Sequence, residues 1–132
     1  MSPETWARAK PLLQAALDRS PGPYRLQDVQ DDLIAGTAQL WMGAHSAVVT
    51  HTEDEGVLHV WLYGGSLADM PGLFASAAAW AGTMGMDRMT IRGARKGWNR
   101  VLLSLGWERD DDAQMVCVIK EGASKSDQSL SR

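Results

Sequence analysis

The stretch VLHVWLYGGS, residues 57–66, decides the fold of this chain, together with the apolar run that continues to residue 85. Its first seven residues are aliphatic, aromatic or β-branched apart from one histidine, a composition typical of a buried strand. Beyond the glycines, apolar residues recur at spacings of three and four, which predicts one face of a helix. These residues are Leu73, Ala77, Trp80, Ala81 and Met84.

The turn between this strand and this helix contains Gly64, Gly65 and Ser66, and Ser66 and Asp69 are candidate N-caps of the helix. A glycine turn that leads into a helix N-terminus can present backbone N–H groups to an anion or another ligand. The same glycines are equally explained by the backbone conformation of a tight turn. Both interpretations stay open at this point.

Composition sets the class of protein. The chain has 132 residues, 45% of them hydrophobic and 22% charged, which suits one domain with a core. A net charge of −3 without a basic block argues against a dedicated nucleic-acid surface. No run approaches the roughly 20 apolar residues of a membrane span, and no secretory signal is visible at the first residues. We therefore expect no membrane segment and an intracellular location.

Cysteine, histidine and acidic residues do not form a metal-binding pattern. Cys117 is the single cysteine and lies in an apolar run, so an inert thiol and no internal disulfide are expected. His45 and His51 would lie about 20 Å apart along one strand. The acidic segments 53–55 and 110–112 are typical of solvated turns. No metal site is predicted.

The remaining elements follow from turn residues and periodicity. Ser2 and Pro3 begin an N-terminal helix, which Pro11 is expected to kink or split. A second helix is predicted at about residues 25–35. Strands are predicted at 39–42, 46–52, 57–63, 88–92, 107–109 and 113–119, with a short helix from Trp98 that Gly106 closes.

A strand, a helix of about four turns and another strand imply a right-handed crossover and a parallel pair. The predicted fold class is therefore α/β (α+β), a mixed, mostly antiparallel sheet with a parallel pair in the middle, flanked by helices. One domain is expected over residues 1–122, with 1–22 as an N-terminal helical segment. Residues 123–132 lack apolar periodicity and are predicted to form a disordered or extended tail.

This order of elements, with Leu105-Gly106-Trp107 closing the short helix, resembles the fold of the GCN5-related N-acetyltransferases over roughly residues 24–120. In that family the strands before and after the long helix part, and acetyl-CoA lies in the gap. Here the gap is expected at the end of Tyr63. The resemblance implies Gly64, Gly65, Ser66 and Arg95 as cofactor-binding residues.

A narrower resemblance is to small acetyltransferase-like proteins of tailed bacteriophages. It depends on Gly64-Gly65, on Ala81 followed four residues later by Gly85, and on Arg92-Gly93 with Arg95-x-Gly97-Trp98. It implies a role near head and packaging functions, and therefore a partner among phage structural proteins.

The chain departs from active acetyltransferases at two functional positions. Active members carry glutamine or arginine and then a glycine-rich loop at the start of the long helix, whereas Tyr63 stands at the head of the loop here. Asp69 would repel a diphosphate, and Pro71 lacks an amide N–H. Four residues before Gly106, where the family often has a tyrosine acid, Leu102 has no proton to donate.

Two titratable residues are weak candidates for catalysis. Acetyl transfer needs a base for the amine and stabilisation of the developing oxyanion. His59 lies where a base would be useful, and Tyr63 would serve as an acid or an anchor; a purely structural role is open for both. Arg92, Arg95 and neighbouring basic residues would hold phosphates or an acidic partner, unless they are ordinary surface charge.

Two main functional hypotheses follow. In the first, the acetyl-CoA site is degenerate and the protein is a binding or structural component, in host cytoplasm, in or on a virion, or in its assembly. In the second, it is a small N-acetyltransferase that uses acetyl-CoA on an amine. A third is a host-directed modifier or inhibitor that uses the same cleft. The sequence leaves catalysis and oligomeric state open.

Overall fold

A six-stranded sheet with helices on both faces organises the protein. The computed structural model describes residues 2–20, 22–52, 55–92, 97–110 and 114–119. The strands are β1 (Ala38–Met42), β2 (Ser46–His51), β3 (Val57–Gly65), β4 (Arg88–Arg92), β5 (Glu108–Arg109) and β6 (Gln114–Val118). The helices are α1 (Pro3–Arg19), α2 (Leu26–Ala35), α3 (Met70–Thr83) and α4 (Trp98–Ser104), and a single 3₁₀ turn, Leu67–Asp69, precedes α3.

The strand order is β1-β2-β3-β4-β6-β5. Only the central pair, β3 and β4, is parallel among the described pairings, and the others are antiparallel. This arrangement confirms the predicted fold class, because a helical crossover between β3 and β4 is what permits them to run in the same direction. The predicted tail, 123–132, lies outside the described residues. Among the residues described, no helix is both long enough and apolar enough to cross a membrane.

The first helix is continuous from Pro3 to Arg19, so the expected split at Pro11 is wrong, and the alternative of a kink stays a prediction. Ser2 caps α1 by accepting a hydrogen bond from the N–H of Thr5 at 3.1 Å. Ala9, Leu13 and Ala16 form a buried stripe along the helix. An interior proline costs about 3 kcal/mol, and packing of this stripe on both sides of Pro11 offsets that cost.

Two hydrophobic clusters lie on opposite faces of the sheet. One joins β3, β4 and β6 to α3 and α4, and the other joins β1, β2 and β3 to α1 and α2. The main contacts of α1 and α2 with the sheet fall on β1, β2 and β3. On the same face of the sheet, strands β4, β6 and β5 are therefore left largely uncovered by α1 and α2. A concavity lies over this uncovered part.

Strand β3 contains a β-bulge. Val49 pairs with Leu62 and Thr50 pairs with Val60, so Trp61 is the extra residue. One inserted residue reverses the alternation of side chains beyond it. Val60 accordingly packs in the cluster with α3, and Leu62, two positions later, packs in the cluster with α1.

Gly64 allows helix α1 to approach β3 closely. It pairs with Ala47 of β2. A Cβ atom at this position would overlap the backbone carbonyl of Leu12 in α1. A side chain here would therefore force a helix and a strand apart, because the obstructing atoms are backbone and cannot change rotamer.

We expect Gly64→Ala to destabilise the protein by about 1–3 kcal/mol, the usual cost of overpacking. The free energy of unfolding in urea measures this change. Gly72→Ala is the matched control, since its Cβ would meet nothing within 4 Å. That residue lies in α3, where alanine is favoured by roughly 1 kcal/mol. Equal destabilisation by both substitutions would contradict the close-approach argument.

Candidate functional site

The parallel strands β3 and β4 part before β3 ends. Their pairing runs from Val57 with Arg88 to Val60 with Ile91. Strand β3 then continues to Gly65 without β4 beside it in the described ladder. The sequence-based expectation of a gap at the end of Tyr63 is wrong in position, because the bulge at Trp61 already redirects the strand.

A cavity of about 100 Å³ fills the wedge between the parted strands. This volume holds roughly three water molecules, or a group as small as an acetyl thioester. The wall facing the sheet is the last turn of α1. The lining consists of residues 60–63 of β3, Ile91 and Arg92 of β4, Trp98 of α4, and Ala16, Arg19 and Ser20 at the end of α1.

Tyr63 forms part of the wedge but its hydroxyl is committed to the backbone. The hydroxyl donates to the carbonyl oxygen of Ser66 at 2.6 Å, and the ring meets Trp98 edge-on with centroids 5.6 Å apart. Burial raises the pKa of Tyr63, and the nearby Asp69 carboxylate raises it further, although a hydrogen bond with Ser46 opposes both. The geometry gives Tyr63 a structural role, and its candidacy as an acid stays a prediction.

The start of α3 is tied to the turn between β1 and β2. Asp69 occupies the N-cap position of α3, as predicted, but its side chain makes no capping hydrogen bond. Its Oδ2 atom instead accepts the N–H of His45 at 2.8 Å and the hydroxyl of Ser46 at 2.8 Å. These two hydrogen bonds lower the pKa of the Asp69 carboxyl. The prediction for Ser66 is confirmed, because its Oγ accepts the N–H of Ala68 at 3.1 Å.

Backbone donors at this helix start are already bonded within the protein. The N–H groups of residues 66, 68, 69 and 70 all donate to protein oxygens, and Pro71 has none. The carboxylate of Asp69 also lies beside the turn that these residues form. A helix N-terminus usually has N–H groups that can donate to an anion. At this one, the N–H groups of residues 66 and 68–70 already donate within the protein, and a carboxylate lies nearby.

The glycines of this junction serve close packing. Gly65 has φ 116°, and a Cβ atom there would overlap the carbonyl oxygen of His45. It pairs with Ser46 of β2, next to the pairing of Gly64 with Ala47. The role of Gly64, Gly65 and Ser66 in binding a cofactor stays a prediction, and Arg95 lies outside the described residues.

An open concavity of about 850 Å³ adjoins the wedge. Trp61 and Arg92 line both cavities, so a group in one is close to a group in the other. The concavity combines aromatic, basic and acidic side chains, a mixture suited to a small polar molecule. The lining residues are Tyr24, His51, Val57, His59, Trp61, Arg88, Thr90, Arg92, Glu108, Arg109, Asp110, Gln114 and Val116.

His59 faces this concavity. It pairs across the sheet with His51 of β2 and with Thr90 of β4, so the three side chains form a row on one face. Its Nδ1 atom lies 2.9 Å from Oγ1 of Thr90. His51 in turn lies 3.3 Å from Oδ2 of Asp32 in α2 through its Nε2 atom. The candidate base is thus held by a neighbouring hydroxyl at the edge of an accessible cavity.

The sequence analysis missed several residues of this surface, among them Trp61, Thr90 and Gln114. The signal was present in β4, where the polar residues Arg88, Thr90 and Arg92 alternate with the apolar residues Met89 and Ile91. Alternation of this kind indicates a strand with one apolar and one open face. Within the described part of the chain, no three histidine, cysteine or acidic side chains gather as a metal site requires.

Comparison with solved structures places the fold among the GCN5-related N-acetyltransferases. Ard1 from Thermoplasma volcanium aligns with a TM-score of 0.63 at 12% identity, covering 91% of this chain and 95% of that one. The ribosomal-protein-S18-alanine N-acetyltransferase from Escherichia coli aligns at 0.61 and 9% identity, covering 98% and 95%. YhbS from Escherichia coli, solved in complex with CoA, aligns at 0.57 and 13% identity, covering 88% and 79%.

These similarities establish the fold of the chain. No protein-family model matches the sequence, and no curated protein does. The narrower bacteriophage resemblance is not tested by these comparisons and stays a prediction.

We expect Asp69→Asn to lower the melting temperature at pH 7, because the carboxylate joins α3 to the turn between β1 and β2. Its pKa is below the ordinary value of 3.8 in the folded protein. The stabilisation is therefore complete above that value and is lost as the pH falls through the folded-state pKa. Thermal unfolding followed from neutral to strongly acidic pH should show the two proteins converging in acid.

Asp31→Asn is the control, since Asp31 is an exposed carboxylate on α2 that accepts a hydrogen bond from Gln27. Parallel curves for wild type and Asp69→Asn across the whole pH range would refute the assigned role of Asp69.

Proposed function

We propose that this protein is an acetyl-CoA-dependent N-acetyltransferase that holds the thioester in the wedge and the acceptor amine in the concavity. The observation that carries the proposal is the bulged separation of β3 and β4 beside an open polar surface. Support also comes from the fold, since solved neighbours include acetyltransferases in complex with CoA.

The residues present fit one end of acetyl-CoA better than the other. The wedge suits the acetyl thioester in size, and Trp61 and Tyr63 give it an apolar wall. The diphosphate finds engaged amides and the Asp69 carboxylate at the start of α3. We therefore assign the phosphates to basic side chains at the mouth of the wedge, of which Arg19 is described.

Acetyl-CoA, when bound, supplies an acetyl group activated as a thioester. Among the described pairings, β3 and β4 are not paired beyond Val60. The N–H groups on that edge of β3 are suited to donate to an oxyanion that develops in the wedge. A donor fixed in the backbone needs no reorganisation during the reaction, so the bulge would contribute to electrostatic stabilisation.

His59 is the proposed base. It would accept the proton that the amine releases as nitrogen attacks the carbonyl carbon, and imidazole is suited to this task near neutral pH. Leu102 is buried and has no proton to give. A thiol ionises near pH ~8.5, so departure of the sulfur as a thiolate requires little assistance from an acid.

A second candidate is a binding or structural protein without catalysis. The observation that favours it is the self-satisfied start of α3, where residues 66 and 68–70 donate within the protein. Under this hypothesis the departures from active acetyltransferases reflect lost cofactor binding. Association with a virion or its assembly belongs to this candidate and depends on the bacteriophage resemblance alone.

Titration calorimetry with acetyl-CoA separates the two candidates. Wild-type protein is expected to bind with a micromolar dissociation constant. Ser20→Trp should weaken binding by about tenfold, roughly 1.4 kcal/mol, because an indole at this exposed lining position fills the wedge mouth. Gln14→Trp, on an exposed face of the same helix, should leave binding unchanged. No binding by the wild type at millimolar acetyl-CoA would reject the enzyme and favour the second candidate.

His59→Gln is expected to lower kcat by roughly 10²–10⁴-fold, the usual contribution of a general base. The dissociation constant for acetyl-CoA should not change, because His59 lies in the concavity and outside the wedge lining. Release of the CoA thiol with a panel of primary amines measures kcat. His45→Gln, which lines neither cavity, is the control. An unaltered kcat in His59→Gln would exclude this residue as the base.

A further inference from the structure

We infer that the acceptor is a short amine that also carries an oxyanion, a carboxylate or a phosphate, and that Arg92 binds this group. The inference rests on the proposed function, since it names the substrate class of the same site. Arg92 lies at the boundary between the wedge and the concavity. The positive charge of Arg92 therefore lies next to the place where we propose that the acetyl group is transferred to the acceptor.

Arg92 is oriented by a chain of neutral and acidic groups. Its Nε atom donates to Oε1 of Gln114 at 3.1 Å, and Nε2 of Gln114 donates to Oδ2 of Asp110 at 3.2 Å. Arg92 and Gln114 are also directly paired between β4 and β6. The guanidinium is therefore held by its inner nitrogen, and its two outer nitrogens extend beyond that contact.

The outer nitrogens of Arg92 have the geometry that an oxyanion requires. Within residues 2–20, 22–52, 55–92, 97–110 and 114–119, no carboxylate lies within 4.0 Å of this guanidinium. A planar guanidinium binds carboxylate or phosphate through two parallel N–H bonds. An arginine that a neutral amide positions, while its charge is left for a ligand, is suited to substrate recognition.

The distance from Arg92 to His59 limits the acceptor to a short molecule. His59 pairs with Thr90, and Arg92 follows Thr90 by two residues on the same face. With strands about 4.8 Å apart and a rise of about 3.3 Å per residue, the two Cα atoms lie roughly 8 Å apart. An acceptor that contacts both side chains must have its amine and its oxyanion separated by only a few bonds, as in an amino acid.

Other charges in the concavity agree with this orientation. Arg88 lies on β4 with Arg92, whereas β5, two strands away, contributes Glu108 and Arg109, whose charges are opposite. The carboxylate of Asp110 is engaged by Gln114. The positive side of the concavity thus lies along β4, beside the wedge, and attracts the anionic end of an acceptor.

The test uses acceptors in matched pairs. Standard amino acids are compared with their amides, and phosphoethanolamine is compared with ethanolamine, so each pair shares an amine and differs in the oxyanion. With acetyl-CoA at saturation, thiol release should give a kcat/KM roughly 10–100-fold higher for the anionic member, the effect of a charge-assisted hydrogen bond. The amino-acid and phosphate pairs show which oxyanion is preferred. Equal rates within all pairs would overturn the inference, as would no turnover of either member by a protein that binds acetyl-CoA.

Variants assign the preference to Arg92. Arg92→Gln should raise the KM for the anionic acceptor by the same factor and remove the preference. The calorimetric dissociation constant of acetyl-CoA should change by a smaller factor, because Arg92 also lines the wedge. Gln114→Leu should raise this KM by a smaller factor, because Gln114 only positions the guanidinium. Arg100→Gln, exposed on α4 and outside both cavities, is the control. The inference would be overturned if Arg92→Gln bound acetyl-CoA more weakly and still preferred the anionic acceptors. Arg92 would then bind acetyl-CoA and not the acceptor.

Failure of the proposed function is distinguishable from failure of this inference. If wild-type protein does not bind acetyl-CoA, the proposed function fails. The oxyanion site at Arg92 can then be tested by itself, by following the ¹⁵N NMR signal of the Arg92 guanidinium during titration with small molecules. A shift of that signal with glycine or phosphoethanolamine, and not with glycinamide or ethanolamine, supports an oxyanion site at Arg92. The same signal unmoved by either anion overturns it.

Discussion

One additional residue in β3 controls the geometry of the whole site. Side chains of a strand alternate with a period of two, so an inserted residue moves every later side chain to the opposite face. At Trp61 this insertion places Leu62 against α1 and returns Tyr63 to the cluster with α3. It also ends the pairing with β4 after Val60. The wedge, its apolar wall and its open backbone edge all follow from this local departure from regular pairing.

The junction that follows the wedge is held together by its own hydrogen bonds. Asp69 supplies a negative charge to the N–H of His45 and the hydroxyl of Ser46, and Tyr63 donates to Ser66 in the same region. Satisfied polar groups make this turn a rigid support for α3. The N–H groups of residues 66 and 68–70 are used in the same hydrogen bonding, so they support the turn itself.

Coverage of the sheet is unequal, and the polar pattern of the strands follows it. Helix α1 lies mainly against β2 and β3, and α2 lies mainly against β1. Outward residues of β4 on that side are Arg88, Thr90 and Arg92. Arg88 and Arg92 are exposed, so charged side chains are tolerated at both ends of the strand, and they contribute to the mixed electrostatic character of the concavity.

Local patterns in the sequence were sufficient to predict the element order, the central parallel pair and the cap at Ser66. Each of these depends on residues close in the chain: a period of two or four, a glycine turn, or a serine beside a helix start. Local rules failed at Pro11, because the buried stripe of α1 outweighs the preference of one residue. They placed Asp69 at the N-cap of α3 but did not show the partner of its side chain, because His45 lies 24 residues away in the chain.

Tertiary structure alone decided the place of the bulge and the assembly of the site. A bulge is defined by the register between two strands, and the register of β2 on β3 results from packing on both faces of the sheet at once. The chain of Arg92, Gln114 and Asp110 likewise exists only when β4 and β6 lie side by side. The sequence by itself determined which elements form and in what order. Their pairing determined which side chains meet, since those contacts join residues that no local pattern relates.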